Sequence, residues 1–180
     1  VPMSPMFGHH DAAPDTSALP PGAYLMRHKM TSIEGFLVFD AGGNQLYHFK
    51  GHLAFGKQKW SMLDASGAEV AQMERGAMHI HPNFTLRRPG RTDVTVRKAN
   101  FMPVNETWRI EGAEDGDIDI NGDIVDHEFT MVDGSGATVA TVSRAWVSIR
   151  DAYGLQVGAM DPVLAIAAVV GIDDAENITR

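Results

Sequence analysis

Asp161-Pro162-Val163-Leu164-Ala165-Ile166-Ala167-Ala168-Val169-Val170-Gly171-Ile172 is the stretch that decides the fold. Asp at an N-cap accepts an N–H that has no partner inside the helix, and Pro at the first helical position has no N–H to leave over. The pair therefore marks a helix start. The eleven residues that follow Asp161 carry no charge on any side, so a helix built from them must be surrounded. At about 1.5 Å per residue it spans about 16 Å, roughly half a bilayer core. That is too short to cross a membrane. Its alanines keep it slim enough to thread a closed sheet.

Upstream, the chain supplies the sheet. An apolar strand, a turn of the form Asp-x-x-Gly and a second strand recur. Phe36-Leu37-Val38-Phe39 leads through Asp40-Ala41-Gly42-Gly43 to Gln45-Leu46-Tyr47-His48-Phe49. Trp60-Ser61-Met62-Leu63 leads through Asp64-Ala65-Ser66-Gly67 to Val70-Ala71-Gln72-Met73. Phe84-Thr85-Leu86 reaches Val94-Thr95-Val96 through Pro89-Gly90, and Phe129-Thr130-Met131-Val132 reaches Thr138 to Val142 through Asp133-Gly134-Ser135-Gly136. Asp40, Asp64 and Arg88 stand 24 residues apart, a period that reads as successive hairpins. Asp117 to Ile124 alternates around Asn121-Gly122, a dipeptide that tolerates the positive φ angles of a type I′ turn and predicts one more hairpin there. About a dozen strands follow. The expected fold is all-β with one buried helix: an antiparallel barrel of about twelve strands, closed so that no edge is exposed, around the C-terminal helix.

Composition sets outer limits. Apolar residues make up 44% and charged residues 21% of 180 residues, the balance of a chain that buries a core rather than a disordered one. With no cysteine, disulfides and thiolate metal sites are excluded, and a reducing, cytoplasmic setting is expected. Five of the nine prolines lie in residues 1–22, which read as a flexible or extended arm ahead of a single domain over residues 23–180. The arm lacks the basic and apolar regions of a signal peptide. Met3, Met6 and Phe7 are its candidate docking residues and His9-His10 its candidate chelating pair. The net charge of -8 argues against nucleic acid as a partner.

The chain resembles the LURP-one-related family, relatives of the tubby C-terminal domain and the phospholipid scramblases. The resemblance lies in Tyr24-Leu25-Met26-Arg27-His28-Lys29-Met30, in Gly122 to Met131, in Ala140-Thr141-Val142-Ser143-Arg144-Ala145-Trp146, in Asp151-Ala152-Tyr153-Gly154-Leu155-Gln156-Val157 and in the closing helix before Asp173. It spans about residues 23 to 178 and implies a tubby-like, twelve-stranded antiparallel barrel around a helix. Tubby domains bind phosphoinositides and scramblases act at membranes with calcium, so the resemblance raises lipid binding without transferring it. The scramblase calcium segment is not carried over: Asp151 to Asp161 fills its middle with Tyr153, Leu155, Val157 and Met160, which leaves too few oxygens.

Three local patterns carry chemistry. Arg87, Arg88 and Arg91 flank Pro89-Gly90; three guanidiniums at a hairpin tip suit phosphate or an anionic lipid head group, because each offers a planar fork of donors. The plain alternative is a solvated turn. Asp117, Asp119, Asn121, Asp123 and Glu128, with Gly122 sixth and Ile124 eighth, satisfy the written pattern of a calcium loop. The flanks are strand and loop rather than helices, so a hairpin with Ile118, Ile120 and Ile124 inward accounts for the same residues. His79-Ile80-His81, with His48 and His52, has the spacing for a strand-borne metal pair but lacks further ligands. There is no G-x-S-x-G, P-loop or helix-opening G-x-G-x-x-G, so neither a cofactor nor a catalytic residue is expected; Ser135 belongs to a turn. The resulting reading is a non-catalytic binding or scaffold domain whose partner is a protein or an anionic lipid surface. The alternatives are an enzyme with a pocket at a barrel end and a calcium-responsive module using residues 117–128.

Overall fold

Strands whose side chains alternate between core and solvent can close on themselves only if something apolar fills the space they enclose. In the computed structural model, which describes residues 13–31, 34–54, 57–76, 82–99 and 106–178, twelve strands do so. They are β1 (Ala23–Thr31), β2 (Glu34–Phe39), β3 (Gln45–Ala54), β4 (Lys57–Asp64), β5 (Glu69–Arg75), β6 (Asn83–Arg87), β7 (Val94–Lys98), β8 (Thr107–Glu111), β9 (Ile118–Asp123), β10 (Glu128–Val132), β11 (Thr138–Ser143) and β12 (Ala152–Val157). Each pairs antiparallel with its neighbours in sequence, and β1 pairs with β12 to close the barrel. The helix α1 (Pro162–Ile178) fills it. The all-β fold with one buried helix is as expected from the sequence.

Alternation decides which residues meet the helix. Phe84 and Leu86, Val94 and Val96, Trp108 and Ile110, Ile118 and Ile120, Phe129 and Met131 are buried, while the residues between them are half-buried. From Leu164 to Ile172 the helix has no exposed side chain. Each Leu, Ile or Val so buried contributes about 1.5–3 kcal/mol relative to an exposed one. β2 and β12 depart from the alternation and are buried on both faces. Their outer residues Leu37, Phe39 and Ala152 join Leu25 in a second cluster, covered by Leu19, Val147 and Ile149. The proline-rich segment preceding the barrel is therefore docked over residues 13–22. Pro14 is buried, the Thr16 hydroxyl donates to the Ala41 carbonyl at 2.7 Å, and the Gln156 amide donates to the Pro21 carbonyl at 3.1 Å. Residues 1–12, with His9-His10, and 77–81, with His79 and His81, lie outside the described residues.

The turns carry the repeat. Asp40 Oδ1 accepts the N–H groups of Gly42 and Asn44, Asp64 Oδ1 those of Ser66 and Ala68, and Asp133 Oδ1 those of Ser135 and Ala137, each at 2.9–3.1 Å. The glycine at the fourth position takes φ near +85° in all three, at Gly43, Gly67 and Gly136. Ser135, the one serine in a suggestive Gly-Ser-Gly, donates its hydroxyl to Asp133 at 2.7 Å and so caps a turn.

Two sequence readings are corrected. The hairpin does not turn at Asn121-Gly122: β9 runs through both, and the turn is Ile124 to His127, closed by the His127 N–H on the Ile124 carbonyl and the Asp126 N–H on Asp123 Oδ1. Gly122 serves a different need. Its φ is +137° and a Cβ there would lie 2.7 Å from the Phe129 Cα, so glycine permits a close strand crossing inside the ladder. The helix also continues beyond Ile172, to 17 residues in all. Asp173, Asp174 and Glu176 oppose the helix dipole at a C-terminus, which is why the sequence reads as a stop. Each instead reaches the barrel wall, Asp173 to His127 at 3.0 Å, Asp174 to Arg75 at 2.7 Å and Glu176 to Lys98 at 3.1 Å.

Candidate functional site

The helix enters the barrel beside the hairpin that carries the three arginines. Asp161 caps the helix by accepting the Val163 N–H at 3.0 Å. Its other oxygen accepts hydrogen bonds from Arg88 and, at 3.2 Å, from Arg91. Burial works to raise the Asp161 carboxyl, and the Arg88 hydrogen bond and charge more than offset it, holding the group below the ordinary carboxylate value. Arg87 faces away from this pair and binds Glu74 at 2.9 Å and Asp93 at 3.2 Å. The structure thus brings Arg88 and Arg91 together, places Arg87 apart, and gives all three a carboxylate partner. A small cavity of about 70 Å³ beside Arg88 and Arg91 is also lined by Glu114, Asp115, Asp133 and Asp161.

The acids of the calcium pattern are spread along the β9–β10 hairpin. Asp119 stands opposite Val132 and Asp123 opposite Glu128, which separates Asp119 from the Asp123 and Glu128 pair by about 13 Å at 3.3 Å per residue. Calcium oxygens must lie at 2.3–2.6 Å from one point. Asp117 and Asp119 lie 3.4 and 3.8 Å from Arg109, Asp123 caps the Ile124–His127 turn, and Asn121 faces solvent. Glu128 accepts the Ser143 hydroxyl at 2.9 Å and the Arg144 N–H at 2.8 Å. Ile118, Ile120 and Ile124 point inward. Among the described residues, no group of three or more His, Asp and Glu is gathered to hold a metal ion.

The helix leaves the barrel at a different kind of place. There a cavity of about 180 Å³ is lined by His28, His127, Arg144, Asp151, Tyr153 and Asp173, with Val125 and Ala152. Six separate pieces of chain meet there: β1, the β9–β10 turn, the end of β11, the loop into β12, β12 itself and α1. His127 stacks on Tyr153 with ring centroids 4.2 Å apart and faces Asp173 through Nε2 at 3.0 Å. The Tyr153 hydroxyl and His127 Nδ1 are both buried without a hydrogen-bond partner. Burial, reinforced by the charge of Asp173, pushes the Tyr153 hydroxyl well above the ordinary phenol value, so it stays a donor at neutral pH. His127 and Asp151 hold φ of +56° and +64°, the positive-φ residues other than glycine in the described chain. Sequence reasoning missed this site. His28, His127, Arg144, Asp151 and Tyr153 all fall in the segments that carry the family resemblance, and Asp173 lies at the end of the helix run, yet no local pattern joins them.

A closed antiparallel barrel threaded by one apolar helix, with polar sites at its ends, defines a class of helix-plugged barrels. The chain belongs to the LURP-one-related family, whose sequence profile matches residues 23–173. It is similar to YxjI, an uncharacterised protein of Bacillus subtilis (strain 168), with 26% identity over 157 residues that cover 83% of this chain and 90% of that protein. Its fold is also that of an X-ray structure of a protein from Arabidopsis thaliana, at a TM-score of 0.62 and 21% identity, covering 93% of this chain and 98% of the other. Among the described residues no helix is long and apolar enough to cross a membrane.

Proposed function

We infer that the domain is a non-catalytic binding module that recognises its partner with its rim and outer wall. The observation that carries this reading is the plug: the space where a barrel of this size would hold a ligand is occupied by helix side chains from Leu164 to Ile172 that are at most 4% exposed. The favoured occupant is a protein surface of mixed charge. At the rim where the helix enters, arginines and carboxylates alternate in ion pairs, a mosaic that suits a partner patterned the same way.

A second reading is an anionic lipid head group held by Arg87, Arg88 and Arg91, in keeping with the tubby and scramblase kinship. Arg87 and Arg91 have side chains about half exposed, and exposed ion pairs contribute only about 0–1 kcal/mol, so phosphate can exchange for their carboxylates. Co-sedimentation with phosphatidylserine vesicles, with and without phosphoinositide, at low and physiological salt, separates the readings. Retention that falls steeply with salt and is lost in Arg87→Ala/Arg91→Ala supports the lipid reading. Absence of retention leaves the protein partner. Parallel arms with calcium and with chelator test Asp117, Asp119, Asn121, Asp123 and Glu128, since only a calcium-responsive module changes between them.

A further inference from the structure

The geometry points to a small-molecule site at the end where the helix leaves the barrel, built to take a monocarboxylate that carries a neighbouring hydroxyl. It is separate from the arginine rim, about 18 Å away along the twelve helical residues from Asp161 to Asp173, and the vesicle experiment does not bear on it. Two buried atoms at this end lack partners, a state that weakens a fold unless a bound molecule satisfies them. Both belong to side chains lining the same cavity, His127 and Tyr153. Asp173 sits at 3.0 Å from His127 Nε2, so in the neutral ring the proton resides on Nε2 and Nδ1 is left as an acceptor. The Tyr153 hydroxyl is a donor. A single ligand hydroxyl satisfies both at once, donating to Nδ1 and accepting from Tyr153, because a hydroxyl carries one donor and two acceptor positions.

Arg144 supplies the other half. Its side chain lines the cavity and makes no ion pair among the described residues, while its backbone N–H is fixed on Glu128 at 2.8 Å. A guanidinium fork matches a carboxylate. Asp151, which is exposed, and Asp173 line the same cavity; two carboxylates against one guanidinium disfavour a dianion more than a monoanion, so a monocarboxylate is preferred over doubly charged phosphate. A cavity of about 180 Å³ far exceeds the space that one water needs and admits a small hydroxy acid such as lactate. The strain has the same address. Both non-glycine positive-φ residues line this cavity, and backbone held in such conformations clusters at ligand sites. His28 completes the wall, with its N–H on the Asp151 carbonyl at 2.9 Å tying the strained loop to β1.

The test is NMR titration of the whole chain with lactate, with propionate as the analogue lacking the hydroxyl and with inorganic phosphate, following the imidazole resonances of His127. Lactate is expected to shift them saturably, with propionate and phosphate each at least about tenfold weaker. Tyr153→Phe and Arg144→Gln are expected to weaken lactate by about tenfold or more, while Tyr153→Phe melts no lower than the parent because the hydroxyl it removes had no partner. Absence of any His127 shift at tens of millimolar lactate overturns the site. So does lactate binding that both variants leave intact, or phosphate binding tighter than lactate.

Discussion

Where the helix enters the barrel, the described turns at Asp40, Asp64 and Asp133 repeat one hydrogen-bond pattern, their glycines take the positive φ that the pattern requires, and the helix cap is tied to Arg88 and Arg91. Where it leaves, His127 and Asp151 take positive φ without being glycine, two buried polar atoms lack partners, and three acids stand against the helix dipole. The first end obeys each local rule of turn and cap chemistry. The second breaks several, most of them around the exit cavity. Natural sequences depart from local rules mainly at functional or strained sites, so the difference favours the exit end for the small-molecule site proposed above and leaves the regular entry rim as a surface for the macromolecular partner. The helix joins the two.

The largest test removes that joint. Ile166→Asp or Ala167→Glu places a charge at a fully buried position with no counter-ion, a change whose penalty of several kcal/mol rivals the whole stability of a domain. Neither variant is expected to yield a folded chain in a denaturation series, and a soluble, cooperatively melting product would sink the plugged barrel and with it any link between the ends. Gly171→Ala is the next probe. Alanine is the better helix former by about 1 kcal/mol, yet a Cβ at Gly171 would lie 2.2 Å from the Phe84 ring. The ring must shift in a packed core, so a net loss of about 1–3 kcal/mol is expected in urea melts. A gain would mean that the barrel wall yields near the helix exit.

The sequence discloses these two ends unequally. Asp-x-x-Gly turns, the Asp161-Pro162 cap and the apolar run are local signals, and each lies where its pattern predicts. Asn121-Gly122 misled because a positive φ serves a close crossing as well as a turn, and the inward demand of Ile124 sets the turn two residues later. The helix end misled because Asp173, Asp174 and Glu176 make sense only beside His127, Arg75 and Lys98, whose positions depend on barrel closure. The same closure hides the exit cavity, since His28 and Asp173 lie 145 residues apart. It also hides the pairing of Arg88 with Asp161 across 73 residues, so a tip that looks open in sequence is already engaged.

The smallest effect sharpens the comparison most, because it sets one acid from each end against the other. The folded-state carboxyl of Asp161 is lowered by Arg88 against the pull of burial, whereas burial raises that of Asp174 despite Arg75. A lowered carboxyl contributes stability that is present above the unfolded value near 3.9 and drains away as the pH falls through the folded value. A raised one does the reverse: its charge weakens the fold at neutral pH, and the penalty is relieved as the pH falls through the folded value toward the unfolded one. Asp161→Ala, which also loses the cap, is therefore expected to cost about 1–2 kcal/mol at pH 7, with the gap to the parent closing below about pH 4. Asp174→Asn is expected to be neutral or slightly stabilising at pH 7, with its advantage shrinking as the solution is acidified. Urea melts of both variants from pH 7 down to pH 3 read the two slopes directly. Equal losses at pH 7 would mean that the acids of both ends act alike as latches, and that the contrast between the two ends does not extend to them.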